Sequence, residues 1–463
     1  MTYQESVACL LTLGRELAAP QQAGVQKFSL ENITVLARLL GNPHLAKPCV
    51  HIAGTNGKGS TAAMLDSILR AAGQRTGLYT SPHLMRINER IRLRGEEISD
   101  EAFADSCTRV IAAAERGMAT GELAAHPTYF ECMTGMAFDC FARAPLDFAI
   151  YEVGLGGRLD ATNIVMPEVA VITQIDFDHE DYLGHTIEDI AAEKAGIIKA
   201  GTQVVSSAEN PAARAVIART CEERGARLVE VDSAYSTLPA RESQDSPERF
   251  PQPELGNVSA RENDGHVRAT VTSAITGATL TIAPALRGQF QLRNALAAAA
   301  AAELLAQHGL AIPASAIEQG IATTQWPGRL ERLMRRPDVY LDGAHNSAGA
   351  RELLRFWQRE FADRRIFLVY GAMRDKAVDE IAGLLFPHAD RVWLTAPRQP
   401  RAISAPLLAE IAGHHARDYR VAPDPAVALE EAIREAAPGD AVFATGSLYL
   451  VADLRRYWLA RNI

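Results

Sequence analysis

Short apolar runs alternate with stretches of helical periodicity along most of the chain. Residues 47–53 (KPCVHIA) form such a run and end in a glycine loop, which predicts a strand buried on both faces. Leu65, Ile68, Leu69 and Ala72 then recur at helical spacing up to Gly73, predicting a helix directly after that loop. The same reading places further strands at 75–79, 147–153, 169–174 and 202–206, with helices between them. Strands alternating with helices build βαβ units and a mostly parallel sheet. Residues 239–266 break the pattern: prolines among Ser, Glu, Asp and Asn, with no period, predict a surface excursion. Residues 267–273 and 278–282 alternate across Thr276-Gly277, as the strands of a hairpin do. The alanine-rich run 294–305 predicts one strong helix closed near Gly309.

After Trp326-Pro327-Gly328 the alternation restarts. Strands are predicted at 339–342, 366–370, 391–395 and 441–445, separated by helices, one of which carries Leu354, Trp357 and Phe361 on a face. That segment is a second, smaller α/β domain of about 140 residues, within the usual domain range. The expected architecture is α/β throughout. A P-loop-type, mostly parallel domain occupies 1–323, and a smaller Rossmann-like C-terminal α/β domain occupies 324–463. A chain of 463 residues is long enough for both.

Composition narrows the class. Lys and Arg number 47 against 56 Asp and Glu, so the net charge of −9 lacks the electrostatic footprint of a nucleic-acid binder. No window approaches the ~18 consecutive apolar residues of a spanning helix. The first residues lack the basic segment and apolar core of a signal peptide. Six cysteines are scattered with no CxxC, as reduced thiols in the cytoplasm would be. The expectation is a soluble cytoplasmic protein with no nucleic-acid or membrane partner.

Candidate chemistry sits in loops that follow strands. GTNGKGST at 54–61 lies between a predicted strand and a predicted helix. Its glycines let backbone N–H groups curl round phosphate oxygens, the helix N-terminus adds a favourable dipole, and Lys58 supplies a point charge. The spacing departs from G-x-x-x-x-G-K-[ST], because the first glycine is two positions too close and Gly59 separates Lys58 from Ser60. Glu152 ends another strand, where parallel sheets open a ligand crevice, and a carboxylate there suits Mg²⁺. Asp178-His179 follows the strand at 169–174, and the imidazole is a metal ligand or a structural group. Lys194 lies near the end of the helical stretch 187–199 and, alone, is simplest as a helix-face lysine. In the second domain Asp342 and His345 close the first strand, and Arg329 lies at the hinge. Arg329 faces a phosphate or serves the fold; Asp342 holds a ribose hydroxyl, a metal's water, or the loop itself.

Together these segments resemble the folylpolyglutamate synthase/dihydrofolate synthase family of the Mur ligase superfamily. The motifs are GTNGKGS at 54–60, YTSPH at 79–83, TYFE at 128–131, EVGLGGRLDATN at 152–163 and DH at 178–179. EKAGI at 193–197, GQFQLRNA at 288–295, PGR at 327–329 and DGAHN at 342–346 follow in the family's order. DFDHED stands where the family more often has a leucine before Asp-His. The resemblance implies ATP-dependent joining of L-glutamate to dihydropteroate, to reduced folates, or to both, through an acyl phosphate. It implies that Thr55, Asn56, Gly57, Lys58, Gly59, Ser60, Asn294, Arg329 and Asp342 bind ATP. Ser81, Glu152 and His179 would hold Mg²⁺, and Lys194 would be carbamylated by CO₂. Thr128, Tyr129, Phe130, Glu131, Leu159, Asp160 and Ala161 would contact the pterin substrate, with the segment 28–30. His345, counted with Lys58 and Lys194 as catalytic, and Ser447 would lie near glutamate, in a monomer.

Two rivals bracket this reading. A cell-wall ligase shares the ATP core but carries a whole substrate domain ahead of the phosphate loop, and only about 50 residues precede Gly54 here. A nucleotide-dependent switch or binding module would need neither an amine-substrate domain nor a pterin segment such as TYFE.

Overall fold

The computed structural model describes residues 1–13, 29–237, 254–255, 258–259 and 261–461. The larger sheet is organised on Cys49–Ala53, whose five residues are all buried, as their apolar run demands. Phe148–Glu152 flanks it in parallel on one side and Val169–Ile172 on the other. In spatial order the eight strands are Glu96–Glu97, Ile91–Leu93, Thr76–Tyr79, Phe148–Glu152, Cys49–Ala53, Val169–Ile172, Gln203–Ser206 and Arg227–Glu230. The body is parallel, and Ile91–Leu93 and Glu96–Glu97 add an antiparallel edge. Because the chain leaves Cys49–Ala53 toward one side, to Thr76–Tyr79, and leaves Phe148–Glu152 toward the other, to Val169–Ile172, a crevice opens at the carboxyl ends of the central strands. The predicted strands fall on these, trimmed at their ends. The pattern predicts no strand at Ile91–Leu93, Glu96–Glu97 or Arg227–Glu230, because such short pieces carry too few positions to show a period.

The second sheet has six strands: Glu331–Met334, Asp338–Leu341, Ala441–Thr445, Ile366–Tyr370, Arg391–Leu394 and Tyr419–Val421, in spatial order. Only the pairing of Glu331–Met334 with Asp338–Leu341 is antiparallel. A third, smaller antiparallel sheet contains the predicted hairpin, His266–Ser273 with Thr279–Ile282. Its long strand also pairs with Tyr235–Thr237 and Arg261–Asn263. The expected surface excursion is corrected in part: its end, Arg261–Asn263, is sheet, and Glu254–Leu255 pairs with Val258–Ser259. The rest of 239–266, namely 239–253, 256–257 and 260, lies outside the described residues.

The alanine run is the middle of a longer helix, Phe290–Gln307, whose residues from Gln291 to Leu305 are all buried. Small side chains let it pack closely against Lys58–Ala71, the helix that follows the phosphate loop. Ala314–Thr323 packs on the same helix closely enough that a Cβ at Gly320 would overlap the backbone of Ile68. The phosphate-loop helix is therefore clamped along its length. Among the described residues no helix is long and apolar enough to cross a membrane.

Gly320→Ala has nowhere to put its methyl group except against backbone, which cannot rotate away. Overpacking of this kind costs about 1–3 kcal/mol. The expected result is a clear fall in thermal midpoint by calorimetry; an unchanged midpoint would mean the two helices separate freely.

Candidate active site

The loop leaving Cys49–Ala53 turns at Gly54 and Gly57. Gly54 has φ +151°, and a Cβ there would overlap Thr173 Oγ1. Gly57 has φ +88°, caps the helix Lys58–Ala71, and faces the Asn294 carboxamide so closely that a Cβ would overlap it. The first N–H groups of that helix have no intrahelical acceptor and point into the loop, as an anion site requires. Thr55 donates its hydroxyl to Asp176 O at 2.9 Å, tying the loop to the next strand's exit. Gln291 reaches Ser60 Oγ at 3.5 Å and accepts from Asn294 Nδ2 at 2.9 Å. Trp326 lies over Gly59, where its Nε1 would stand 3.1 Å from an added Cβ.

Two lysines converge on one carbonyl. Lys58 Nζ donates to Gly54 O at 2.9 Å and to Thr55 O at 3.1 Å, and Lys194 Nζ donates to Gly54 O at 3.0 Å. Burial lowers the pKa of both, and for Lys194, with Lys58 repelling it, the value falls to about 7. Lys194 therefore carries a substantial neutral fraction near neutral pH. The adjacent Glu193 holds Arg158, at 2.7 Å.

Glu152 is buried at the end of its strand and accepts the Ser81 N–H at 3.1 Å. Burial raises its pKa to about 7 despite the pull of Lys58. A buried carboxylate in that condition lacks a full complement of positive partners, which a cation supplies. His179 does not end a strand, as a site built on strand ends would have it. It lies beyond Val169–Ile172, in a loop, with φ +54°, capping the short helix Glu180–Leu183. Burial drives its pKa down to about 4, so its imidazole is neutral and able to ligate a metal. Lys58 is attracted by Glu152, Asp178 and Asp160 and repelled by Arg329, so these groups share one volume.

The second domain closes on this volume. Asp342 is buried and both its oxygens accept backbone N–H groups, from Leu330 at 2.9 Å and Ala344 at 2.9 Å. His345 Nδ1 donates to Gly343 O at 2.8 Å, and burial with nearby Lys376 lowers its pKa to about 4. Ser447 is buried and caps Tyr449 N at 3.1 Å. Asn346 and Asn56 exchange amide hydrogen bonds of 3.0 and 3.2 Å across the domain boundary. Arg351 reaches Asp176 at 2.9 Å, and Lys376 reaches Asp178 at 2.9 Å. A cavity of about 190 Å³ lies between the domains, lined by Gly59, Ser81, Glu152, Trp326, Arg329 and Leu448 among others.

The sequence analysis assigns no role to Arg351, Asn346 or Lys376. Asn346 closes the DGAHN motif, and for the other two the signal is position: Lys376 lies in a loop after a strand end, and Arg351 is on the helix that Asn346 caps.

The pterin segments divide by role. Thr128 and Glu131 form a capping box on the helix Tyr129–Arg143, and Tyr129 is buried. Phe130 brings the tip of its ring against Gly154, where a Cβ would overlap it. Asp160 accepts from Gly154 N and Leu155 N, each at 3.0 Å, and from Thr162, so it staples the glycine loop between Leu159 and Ala161. Of the segment 28–30, Phe28 lies outside the described residues and Leu30 caps the helix Glu31–Leu39.

Comparison with known proteins places this geometry. The Mur ligase middle domain model matches residues 52–302, and the Mur ligase glutamate ligase domain model matches 328–448. A dihydrofolate synthase/folylpolyglutamate synthase of Bacillus subtilis is 35% identical over 432 residues, covering 93% of this chain and 95% of that protein. Folylpolyglutamate synthase of Mycobacterium tuberculosis, solved with ADP and AMPPCP, superposes with a TM-score of 0.83 at 32% identity, covering 98% of this chain and 99% of that one. A FolC of Escherichia coli, solved with DHPP and ADP, gives 0.81 at 30% identity, with 99% and 98% covered.

Proposed function

The chain belongs to the dihydrofolate synthase/folylpolyglutamate synthase family of Mur ligases, and on that premise we propose that it joins L-glutamate to dihydropteroate and to the glutamate tail of reduced folates, at the expense of ATP. The observation that carries the reading is the convergence of phosphate loop, buried carboxylate, neutral imidazole and buried amine in one crevice that two domains close. A switch or binding module needs no second domain bringing its own histidine and lysine to that crevice. A cell-wall ligase is set aside because the near relatives over almost the whole chain are folate ligases.

The chemistry is phosphoryl transfer followed by acyl transfer. The acceptor carboxylate takes the terminal phosphoryl group of ATP, giving an acyl phosphate and ADP. The glutamate amine then attacks the acyl carbon, orthophosphate leaves with the bonding electrons, the nitrogen gives up a proton to solvent, and an amide remains. Thr55 to Ser60 cradle the phosphates through backbone N–H groups, and Lys58 supplies charge, once its ammonium leaves the Gly54 and Thr55 carbonyls. Asn294, against Gly57, and Arg329, beside Lys58 and Glu152, bind ATP together with Asp342. Phe130, Leu159 and Ala161 face the pterin, with Asp160, Thr128 and Glu131 holding their backbones. His345 and Ser447 face the incoming glutamate.

Ser81, Glu152 and His179 fit a magnesium ion, which when bound neutralises charge on the transferred phosphoryl group. Lys194 fits a carbamate: its neutral amine adds to CO₂, a proton leaves to solvent, and the anion that forms faces Lys58 and the metal site instead of repelling them. The two domains are taken as 1–323 and 324–463, working as a monomer because one chain supplies both walls of the crevice. Six free cysteines, five of them buried, support a cytoplasmic setting.

Purified protein given MgATP, L-glutamate and either dihydropteroate or tetrahydrofolate is expected to form the glutamylated product by mass, with ADP and orthophosphate appearing only when both organic substrates are present. Full-rate ATP hydrolysis without glutamate would sink the assignment.

Glu152→Gln and His179→Ala are each expected to lower kcat at least 100-fold at saturating magnesium with circular dichroism unchanged. Near-wild-type turnover by either would remove that residue from the metal set.

Incubation with ¹³C-bicarbonate is expected to give a carbamate carbon signal that is absent from Lys194→Ala. Acid treatment should erase both signal and activity, and bicarbonate at neutral pH should restore them. An active enzyme with no such signal would refute the carbamate.

A further inference from the structure

One carboxylate joins the two domains at the crevice. Asp178 Oδ1 accepts from the His179 N–H at 3.0 Å and from Lys376 Nζ at 2.9 Å. Its Oδ2 accepts from Asn346 Nδ2 at 3.0 Å and lies 3.8 Å from His345 Nε2. Three of those four partners come from the second domain. The Asp178 and Lys376 side chains are only 11% and 10% exposed, so their pairing is not a solvent-screened surface contact. Burial alone would raise the Asp178 pKa, but Lys376, His345 and His179 together hold it well below the usual carboxylate range. Lys376 Nζ also comes within 3.4 Å of His179 Nε2.

The residue this carboxylate holds is under strain. His179 has a left-handed backbone, φ +54°, which costs a non-glycine residue energy and persists only where its surroundings fix it. Within the loop, the bond from its own N–H to Asp178 is one restraint. From outside, Lys376 fixes Asp178 in turn. Lys376 lies in the loop between the strand Ile366–Tyr370 and the helix Val378–Leu385, with its carbonyl bonded to Val378 N at 2.9 Å, so its own backbone is anchored.

We propose that Lys376 is a positioning residue: by holding Asp178 from the second domain it keeps the His179 imidazole where the metal site needs it, so the site is complete only while that domain is seated. This rests on the metal reading of His179 given above. A lysine that merely adds charge would act in the opposite sense, because a cation beside a metal site repels the metal and its removal would tighten binding. The sign of the effect therefore separates positioning from simple electrostatics.

The test is titration of Mn²⁺ into the full-length, nucleotide-free protein, followed by electron paramagnetic resonance. Lys376→Met and Asp178→Asn are each expected to weaken Mn²⁺ binding at least about tenfold. The double variant should be little worse than either, since both act through one pair. Lys376→Arg should stay within about threefold of wild type, and hydrogen exchange at 176–183 should quicken in metal-free Lys376→Met. Unchanged or tighter Mn²⁺ binding by Lys376→Met would overturn the proposal. So would additive losses in the double variant, or no rescue by arginine. Wild-type Mn²⁺ affinity in His179→Ala would overturn it by removing the metal reading beneath it, whereas failure of the ligation assay would remove the proposed reaction and leave these affinities standing.

Discussion

Desolvation of charge is the constraint on which the rest of the crevice depends. Glu152, Asp160, Lys194 and Asp342 are buried, and Lys58, Asp178 and Arg329 are largely withdrawn from water around them. A charge taken out of water is tolerated only beside compensating charges and hydrogen-bond donors. Burial pushes Asp160 and Asp342 up as well, but each accepts at least two backbone N–H groups of its surrounding loops where Glu152 accepts one, so they fix loop shape. Glu152 and Lys194 do not find enough. One is pushed up to about 7 and the other down to about 7, the direction each takes when its charged form is undersupplied with partners. Those two are the groups for which a cation and CO₂ are proposed. The structural carboxylates and the chemical ones are told apart by how completely the protein itself satisfies them.

The fold supplies that distinction by geometry. Cys49–Ala53 lies between two parallel neighbours, so the loops after all three strands meet at one edge. The helix after the phosphate loop is held rigid by Phe290–Gln307, whose alanines let it approach, and by Ala314–Thr323, whose Gly320 touches backbone. Rigidity there matters because backbone N–H groups aimed at phosphate act without reorganising. The second domain contributes less volume but decisive contacts: Asn346 to Asn56, Arg351 to Asp176 and Lys376 to Asp178. All three land on loops that leave the central strands.

The sheet and the phosphate loop were legible in the sequence because both are local. A buried strand shows as an apolar run, and GTNGKGS shows as glycines beside a lysine at a strand's end. The alanine helix was legible for the same reason, and its first turn, Phe290 to Arg293, was not, because it precedes the alanine run that carries the signal. Short edge strands such as Glu96–Glu97 are made by their partners and leave no pattern of their own. The site divides in the same way. TYFE drew notice as a substrate segment, yet Thr128 and Glu131 are a capping box, a pattern of the same Thr-x-x-Glu spacing whose purpose is to start a helix. Motif and cap coincide there, and only the packing of Phe130 on Gly154 separates the part that faces the crevice from the part that holds the backbone.

Contacts between the domains were the least legible part. Asn56 and Asn346 are 290 residues apart, and Asp178 and Lys376 are 198 apart, so no periodicity or spacing relates them. Their placement follows a rule all the same. Each partner in the second domain lies on a loop beyond a carboxyl strand end, or on the helix that such a loop caps, and so do their targets in the first. Two parallel sheets facing each other carboxyl end to carboxyl end put every such loop in one cleft. In the proposed reaction this arrangement divides the roles: phosphate-loop and pterin segments on the larger sheet, His345 and Ser447 on the smaller, with Arg329 and Asp342 reaching the nucleotide from the second domain. An acyl phosphate is short-lived in water, so a ligase must bring the amine to it without opening the crevice to solvent. The contacts around Asp178 suit that demand, because Asn346 and Lys376, which hold it from the second domain, lie beside His345, the residue proposed to face the amine.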